Sequence, residues 1–216
     1  MTPPVFFDLD GTLTDPAEGI TRCIQFAIEA LDMQPPPAES LHWCIGPPLL
    51  ESLKKLVGAN LADQALVLYR QRFAEVGWRE NKPYAGIENV LKTFGNTGAM
   101  LYVATSKPRV FAEPILQHFA LLDFFSGVYG SELDGTRSAK AELLEYALST
   151  EKVAARAVMI GDRSHDIVGA TANGMYAVGV TYGYGSETEL VDAGADEVVA
   201  SPSELCDAFA RFRGVD

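Results

Sequence analysis

Short apolar runs alternate with stretches of helical periodicity over most of this chain. Val5, Phe6 and Phe7 form the first run, and further runs at 100–104, 127–129, 157–160, 177–180 and 197–199 have the length of buried strands. Between them, positions 87–94, 110–118, 139–148, 167–173, 187–192 and 202–212 carry apolar residues at helical spacing. This alternation predicts an α/β fold: a Rossmann-like, doubly wound, mostly parallel sheet with right-handed crossovers.

One segment departs from the pattern. From Pro16 to Lys82 no strand is evident, and Ile20, Cys23, Ile24, Ala27, Ile28 and Leu31 are spaced as one helical face. A second long helix is expected over 61–76, with Leu66, Tyr69, Phe73 and Val76 on its stripe. Pro35-Pro36-Pro37 and Gly46-Pro47-Pro48 read as loops between them. The expected organisation is an α/β core of 1–15 and 83–216, with a small all-helical cap, 16–82, inserted after the first strand.

At 216 residues the chain can bury a sizeable core. Its net charge of −12 argues against nucleic acid or an anionic membrane as a partner, since both require a basic face. Three cysteines far apart form no CxxC pair, so reduced thiols are expected in place of a disulfide framework or zinc knuckle. The first strand begins close to Met1 and no apolar run approaches membrane-spanning length, so the expected location is cytoplasmic.

The charge matters most at the strand ends. The run Val5–Phe7 leads into Asp8-Leu9-Asp10-Gly11, and the period of two along an extended chain points Asp8 and Asp10 to one side. An Asp-Gly turn accounts for Gly11 but not for Asp8. Thr105 and Ser106 follow the strand at 100–104, and Lys107-Pro108 then reads as a helix opening with proline in its first turn, where a hydroxyl and helix amides make a phosphate-sized anion site. Lys140 stands where the next helix starts. Asp162 and Asp166 follow the strand at 157–160, spaced to reach one point. Two carboxylates about 4 Å apart repel by about 4 kcal/mol at an effective dielectric near 20. Converging acids therefore call for a hard divalent ion, magnesium first. Zinc lacks its cysteine or histidine cluster; His165 lies among the acids but reads as a surface or supporting residue.

The ordered set Asp8-x-Asp10-Gly11-Thr12-Leu13-x-Asp15, Thr105-Ser106, Lys140 and Gly161-Asp162-x-x-x-Asp166 resembles the haloacid dehalogenase (HAD) superfamily of phosphohydrolases over the whole chain. The stretches 43–49, 103–108, 130–135 and 181–185 are similar to its phosphoglycolate-phosphatase-like group, especially the bacterial 5'-nucleotidase-like branch. The resemblance implies a phosphatase in which Asp8 is the nucleophile that forms an aspartyl-phosphate and Asp10 the general acid and base. It implies that magnesium is held by Asp8, the Asp10 backbone carbonyl and Asp162, with Asp166 supporting the metal site or steering Lys140. Thr105, the Ser106 amide and Lys140 would grip the phosphoryl group of a small phosphomonoester. The cap would close over the substrate, with specificity from the loop at Gly46-Pro47-Pro48; Arg22, His42 and Trp43 read as structural.

Asp10 disfavours dehalogenation, for which the resemblance implies neither this acid/base group nor magnesium. A phosphomutase of the same superfamily is one alternative. A receiver-like phospho-acceptor signalling domain is another, but receivers are shorter and place their acid pair and phospho-acceptor on different strands. The leaving group and the oligomeric state are left open by the residues.

Overall fold

The computed structural model describes residues 2–153 and 156–214. Strand β1 (Val5–Phe7) is sealed from solvent at every residue. The chain turns through Gly11 into β2 (Thr14–Asp15), then runs through α1 (Ala17–Glu29), a 3-10 turn at Ala38–Cys44, α2 (Leu49–Val57) and α3 (Ala59–Glu75), and returns in β3 (Lys82–Pro83). Helix and strand then alternate: α4 (Ile87–Asn96), β4 (Leu101–Pro108), α5 (Arg109–His118), β5 (Gly127–Ser131), α6 (Lys140–Thr150), β6 (Val158–Gly161), α7 (Ser164–Ala172), β7 (Tyr176–Val180), α8 (Glu187–Asp192), β8 (Glu197–Val199) and α9 (Glu204–Arg213).

Six strands form one sheet in the order β5-β4-β1-β6-β7-β8, and every pairing in it is parallel. Because the chain winds outward from β1 through β4 and β5, then crosses back to β6, the order reverses beside β1. That reversal opens a crevice at the carboxyl ends of the strands. Phe7 stands in register with Val103 of β4 and Ile160 of β6, so the residues that follow these three, Asp8, Ala104-Thr105 and Gly161-Asp162, arrive at one edge.

The pleat divides the core. Phe6, Tyr102, Met159 and Ala177 face one layer with Leu143, Leu144 and Ile167 from α6 and α7, while Val5, Phe7, Val103, Ile160 and Val178 face the other. Phe6 stacks on Tyr102 at 4.9 Å between ring centroids. Complete burial of each such side chain contributes about 1.5–3 kcal/mol, which lets a three-residue strand hold the sheet's centre.

The helical insert docks on the second layer. Ile20, Cys23, Ile24, Ala27 and Ile28 of α1 are buried, together with Ala62, Ala65, Tyr69 and Phe73 of α3. Chain exit and return are clamped by β2 and β3, which pair antiparallel with Asp15 opposite Lys82. The Asp15 carboxylate lies 3.2 Å from the Lys82 ammonium and also accepts from the Tyr184 hydroxyl. Arg72 of α3 binds Glu80 through two hydrogen bonds of 2.7 and 3.0 Å. Among the described residues no helix is long and apolar enough to cross a membrane.

The doubly wound sheet is as expected, wholly parallel in its six strands, with the separate antiparallel pair β2–β3 beside it. Two expectations change. Helix α2 follows Gly46-Pro47-Pro48, where the sequence pattern predicts no helix before 61. Pro108 is not in a helical first turn: β4 continues past a bulge to pair Pro108 with Ser131, Pro108 keeps an extended ψ of 132°, and α5 starts at Arg109. Thr105 and Ser106 thus sit on a strand end, away from the helix amides first expected beside them.

Candidate active site

Asp8 leaves β1 with its amide donating to the Ile160 carbonyl at 2.9 Å, which fixes it beside β6. Gly11 then takes a φ of +89°, a conformation that favours glycine. A Cβ there would lie 2.1 Å from Asp162 Oδ2. Gly183, on the loop after β7, is as constrained: a Cβ would lie 2.3 Å from the Gly11 carbonyl oxygen and 2.5 Å from Asp162 Cβ. Two loops therefore close on Asp162 at backbone distance, and the Tyr184 amide donates to its Oδ2 at 2.8 Å.

Asp8, Asp162 and Asp166 each offer an oxygen, and these lie within 4.8 Å of one another. Two full charges at that separation repel by about 3–4 kcal/mol at an effective dielectric near 20. Lys140, 4% exposed at its side chain, answers part of this. Its ammonium donates to Asp8 Oδ1 at 2.8 Å and the Ala104 carbonyl at 2.7 Å, and lies 2.8 Å from Asp166 Oδ1. Burial opposes its charge, but Asp166 and Asp8 outweigh that and hold its pKa above the ordinary lysine value. Burial, reinforced by Asp166 and Asp8, pushes the Asp162 carboxyl well up. Asp166 is raised by burial too, with Lys140 pulling against it; its second oxygen accepts from the Arg163 amide at 3.1 Å.

Three carboxylates against one ammonium leave a formal charge of two negatives. Asp162 Oδ1 is buried without a hydrogen-bond partner among the described residues. An oxygen-only donor set with an orphaned carboxylate oxygen and this charge fits a hard divalent cation. The side chain of Asp10 stands apart from this cluster; its Oδ2 is paired with the Lys107 ammonium. Burial pushes the Asp10 carboxyl up, and Lys107 opposes the shift.

Asp8 and Asp10 open onto a cavity of about 310 Å³ between the core and the helical insert. Thr105, Ser106 and Lys107 line its floor, with the Lys107 amide donating to Thr105 Oγ1 at 3.2 Å. The loop Gly46-Pro47-Pro48 lines it, and so do Leu49, Leu50 and Arg70 together with Leu66, Tyr69 and Phe73, which the sequence pattern marks only as the apolar stripe of a helix. Arg22, His42 and Trp43 do not line it: Arg22 pairs with Glu18 and Glu80, His42 packs edge-on against Tyr184, and Trp43 lies under Lys55. His165 is exposed. Lys107 is the main polar residue the sequence reading passed over. A basic residue next to a Thr-Ser strand end, in a strongly acidic chain, was the available signal.

Known proteins place this arrangement. A family model described as haloacid dehalogenase-like hydrolase matches residues 5–180. A 5'-nucleotidase of Pseudomonas aeruginosa is 49% identical over 216 residues, covering 99% of this chain and 95% of that protein. The tyrosine-protein kinase PtkA of Mycobacterium tuberculosis is 37% identical over 202 residues, covering 93% of this chain and 69% of PtkA. The crystal structure of a predicted phosphatase from Clostridium acetobutylicum superposes with a TM-score of 0.93 at 41% identity, covering 98% and 99% of the two chains. The chain belongs to the haloacid dehalogenase-like hydrolases. Its activity class is that of a phosphatase.

Proposed function

We propose that the protein hydrolyses small phosphomonoesters through a phosphorylated Asp8, and that nucleoside 5'-monophosphates are its favoured substrates. The observation that carries the chemistry is that Asp8 and Asp10 line one cavity, with Lys140 fixed on Asp8. The Asp8 carboxylate attacks phosphorus and the bond to the leaving oxygen breaks as Asp10 gives that oxygen a proton. Asp10 then takes a proton from the water that attacks the aspartyl-phosphate, freeing inorganic phosphate and restoring Asp8. Thr105, the Ser106 amide and Lys140 hold the phosphoryl oxygens.

Asp8, Asp162 and the Asp10 backbone carbonyl would hold magnesium, with Asp166 keeping Lys140 in place. When bound, the ion supplies positive charge to phosphoryl oxygens that would otherwise meet a strongly acidic floor. Residues 16–82 act as the cap on a core of 1–15 and 83–216, excluding water while the phosphoryl group is transferred.

The choice of leaving group rests on the cavity wall and on the similarity to the 5'-nucleotidase. Leu49, Leu50, Leu66, Tyr69 and Phe73 of the insert, faced by Phe111 of α5, give the cavity a broad apolar wall, suited to a ring system and wasteful for phosphoglycolate. Arg70 stands among them without an ion-pair partner among the described residues; its guanidinium donates to the Leu133 carbonyl at 2.8 Å. A phosphate-release screen over nucleoside 5'-monophosphates, phosphoglycolate and sugar phosphates tests this. Nucleotides should lead in kcat/KM by about tenfold or more, the discrimination an apolar pocket provides. Asp8→Asn should abolish turnover of every ester; normal turnover by that variant would remove Asp8 as nucleophile. Turnover without a bisphosphate primer separates hydrolase from mutase, and labelling of a tyrosine peptide from ATP would point to the PtkA-like chemistry instead.

A further inference from the structure

We propose that Lys107 is the positioning residue of the proton carrier, an inference that rests on reading Asp10 as the general acid. Lys107 is the penultimate residue of β4, its side chain 7% exposed, and its ammonium is paired with Asp10 Oδ2. The other oxygen, Asp10 Oδ1, is buried and has no hydrogen-bond partner among the described residues. The two oxygens of one carboxyl group therefore have different duties: Oδ2 is anchored, and Oδ1 remains available to exchange a proton with the leaving oxygen or the incoming water.

An unanchored carboxyl group turns about its Cβ–Cγ bond and presents either oxygen at varying angles. Proton transfer needs one oxygen at hydrogen-bond distance and in line, and small losses of alignment are costly. Lys107 removes that freedom. Its own position is held on two sides, by its amide on Thr105 Oγ1 and by the face of Phe73, whose ring centroid lies 5.1 Å from the ammonium. Phe73 belongs to α3 of the insert, so the anchor of the core's proton carrier is completed by the element that closes over the substrate. A lysine suits this task because a compact ammonium can meet one oxygen from beneath an aromatic face.

The test compares kcat/KM, which reports the steps up to departure of the leaving group, for a nucleoside 5'-monophosphate and for p-nitrophenyl phosphate. The alkoxide of the nucleotide needs a proton to leave, whereas the nitrophenolate does not. Lys107→Met should lose about 100-fold on the alkyl ester, the lower end of what general acid catalysis contributes, and only a few-fold on the aryl ester. Lys107→Arg, which keeps a cation, should recover part of the alkyl-ester loss, and the selectivity within each variant is independent of how much of it folds. Equal losses on both esters would make Lys107 a phosphoryl-binding or purely structural residue and overturn the proposal, as would no loss on either. Asp10→Asn is run beside it and should show the same alkyl-ester selectivity. If it does while Lys107→Met shows none, the proposal falls alone; if Asp10→Asn shows none, the proton-carrier reading falls and takes the proposal with it.

Discussion

Replacing Lys140 by methionine removes the one ammonium that lies between Asp8 and Asp166, and its cost can be worked from the structure. The ammonium is 2.8 Å from each carboxylate, where a single pair attracts by about 6 kcal/mol at an effective dielectric near 20. Desolvation of three buried charges cancels much of that gain. Removing one partner of a buried ion pair costs about 3–5 kcal/mol, because the stranded charge remains. Methionine keeps the apolar shaft, so packing contributes little to the loss. For a chain of this size each kcal/mol moves the melting midpoint by about 2–4 °C, giving a drop of roughly 6–20 °C. The folded pKa of Lys140 is raised, so its stabilisation is complete below the unfolded lysine value of about 10.4 and fades only as pH rises through the higher folded value. The gap between the two proteins should thus stay level from about pH 7 to 9 and close only in stronger alkali. Scanning calorimetry in EDTA reads this directly, and added magnesium should stabilise the variant more than its parent. A midpoint within about 2 °C of the parent in EDTA near pH 8 would refute the reasoning, since the two acids would then need no ammonium between them.

Exhaustive chelation should silence phosphate release and magnesium should restore it; activity indifferent to EDTA would remove the ion from the chemistry. Gly183→Ala brings a Cβ to 2.3 Å from the Gly11 carbonyl oxygen and 2.5 Å from Asp162 Cβ. It should cost about 1–3 kcal/mol as overpacking and raise the magnesium concentration for half-maximal activity, both measurable on one preparation by melting and metal titration. Glu80 is held below the usual glutamate range, chiefly by its hydrogen bonds to Arg72 and against the pull of burial. Its stabilisation is present above the unfolded value of about 4.3 and is lost as pH falls through the lower folded value. Glu80→Gln should therefore be less stable at neutral pH by about 1 kcal/mol, a figure kept small because the network meets solvent. The difference should vanish in acid, and a gap that persisted at about pH 2 would assign it to packing.

The residues legible from sequence share a physical property: each sits where its own strand or helix begins or ends. Asp8 and Asp162 directly follow β1 and β6, and Thr105 stands just before the bulge in the carboxyl half of β4; a parallel sheet brings such positions to one edge whatever the loops do. Lys140 and Asp166 follow by the same logic from the starts of α6 and α7. The register that levels Phe7 with Val103 and Ile160 turns those local signals into one cluster. Helix α2 was missed although Leu49, Leu50, Leu53, Leu56 and Val57 carry helical spacing, because the prolines before it drew the reading toward a loop. Strands β2 and β3 are two residues each, too short for any period to register.

Lys107 marks the limit of such reading. Locally, Lys107-Pro108 before an apolar helix favours a helix start, since proline suits the first turn. What prevails is the pairing of Pro108 with Ser131 across a bulge, which keeps the segment extended and lets the side chain of Lys107 meet an aspartate 97 positions earlier. The same holds for the cavity wall. Tyr69 and Phe73 lie on the buried stripe of α3 and stack on each other, as any amphipathic helix would allow. Only the docking of that helix decides that Phe73 meets Phe111 edge-on and covers the Lys107 ammonium. A residue whose chemistry is set by its own strand end can be found by local rules. One whose partner is delivered by another element emerges only when the insert and the core are assembled, and in this protein that is where Lys107 meets both Asp10 and Phe73.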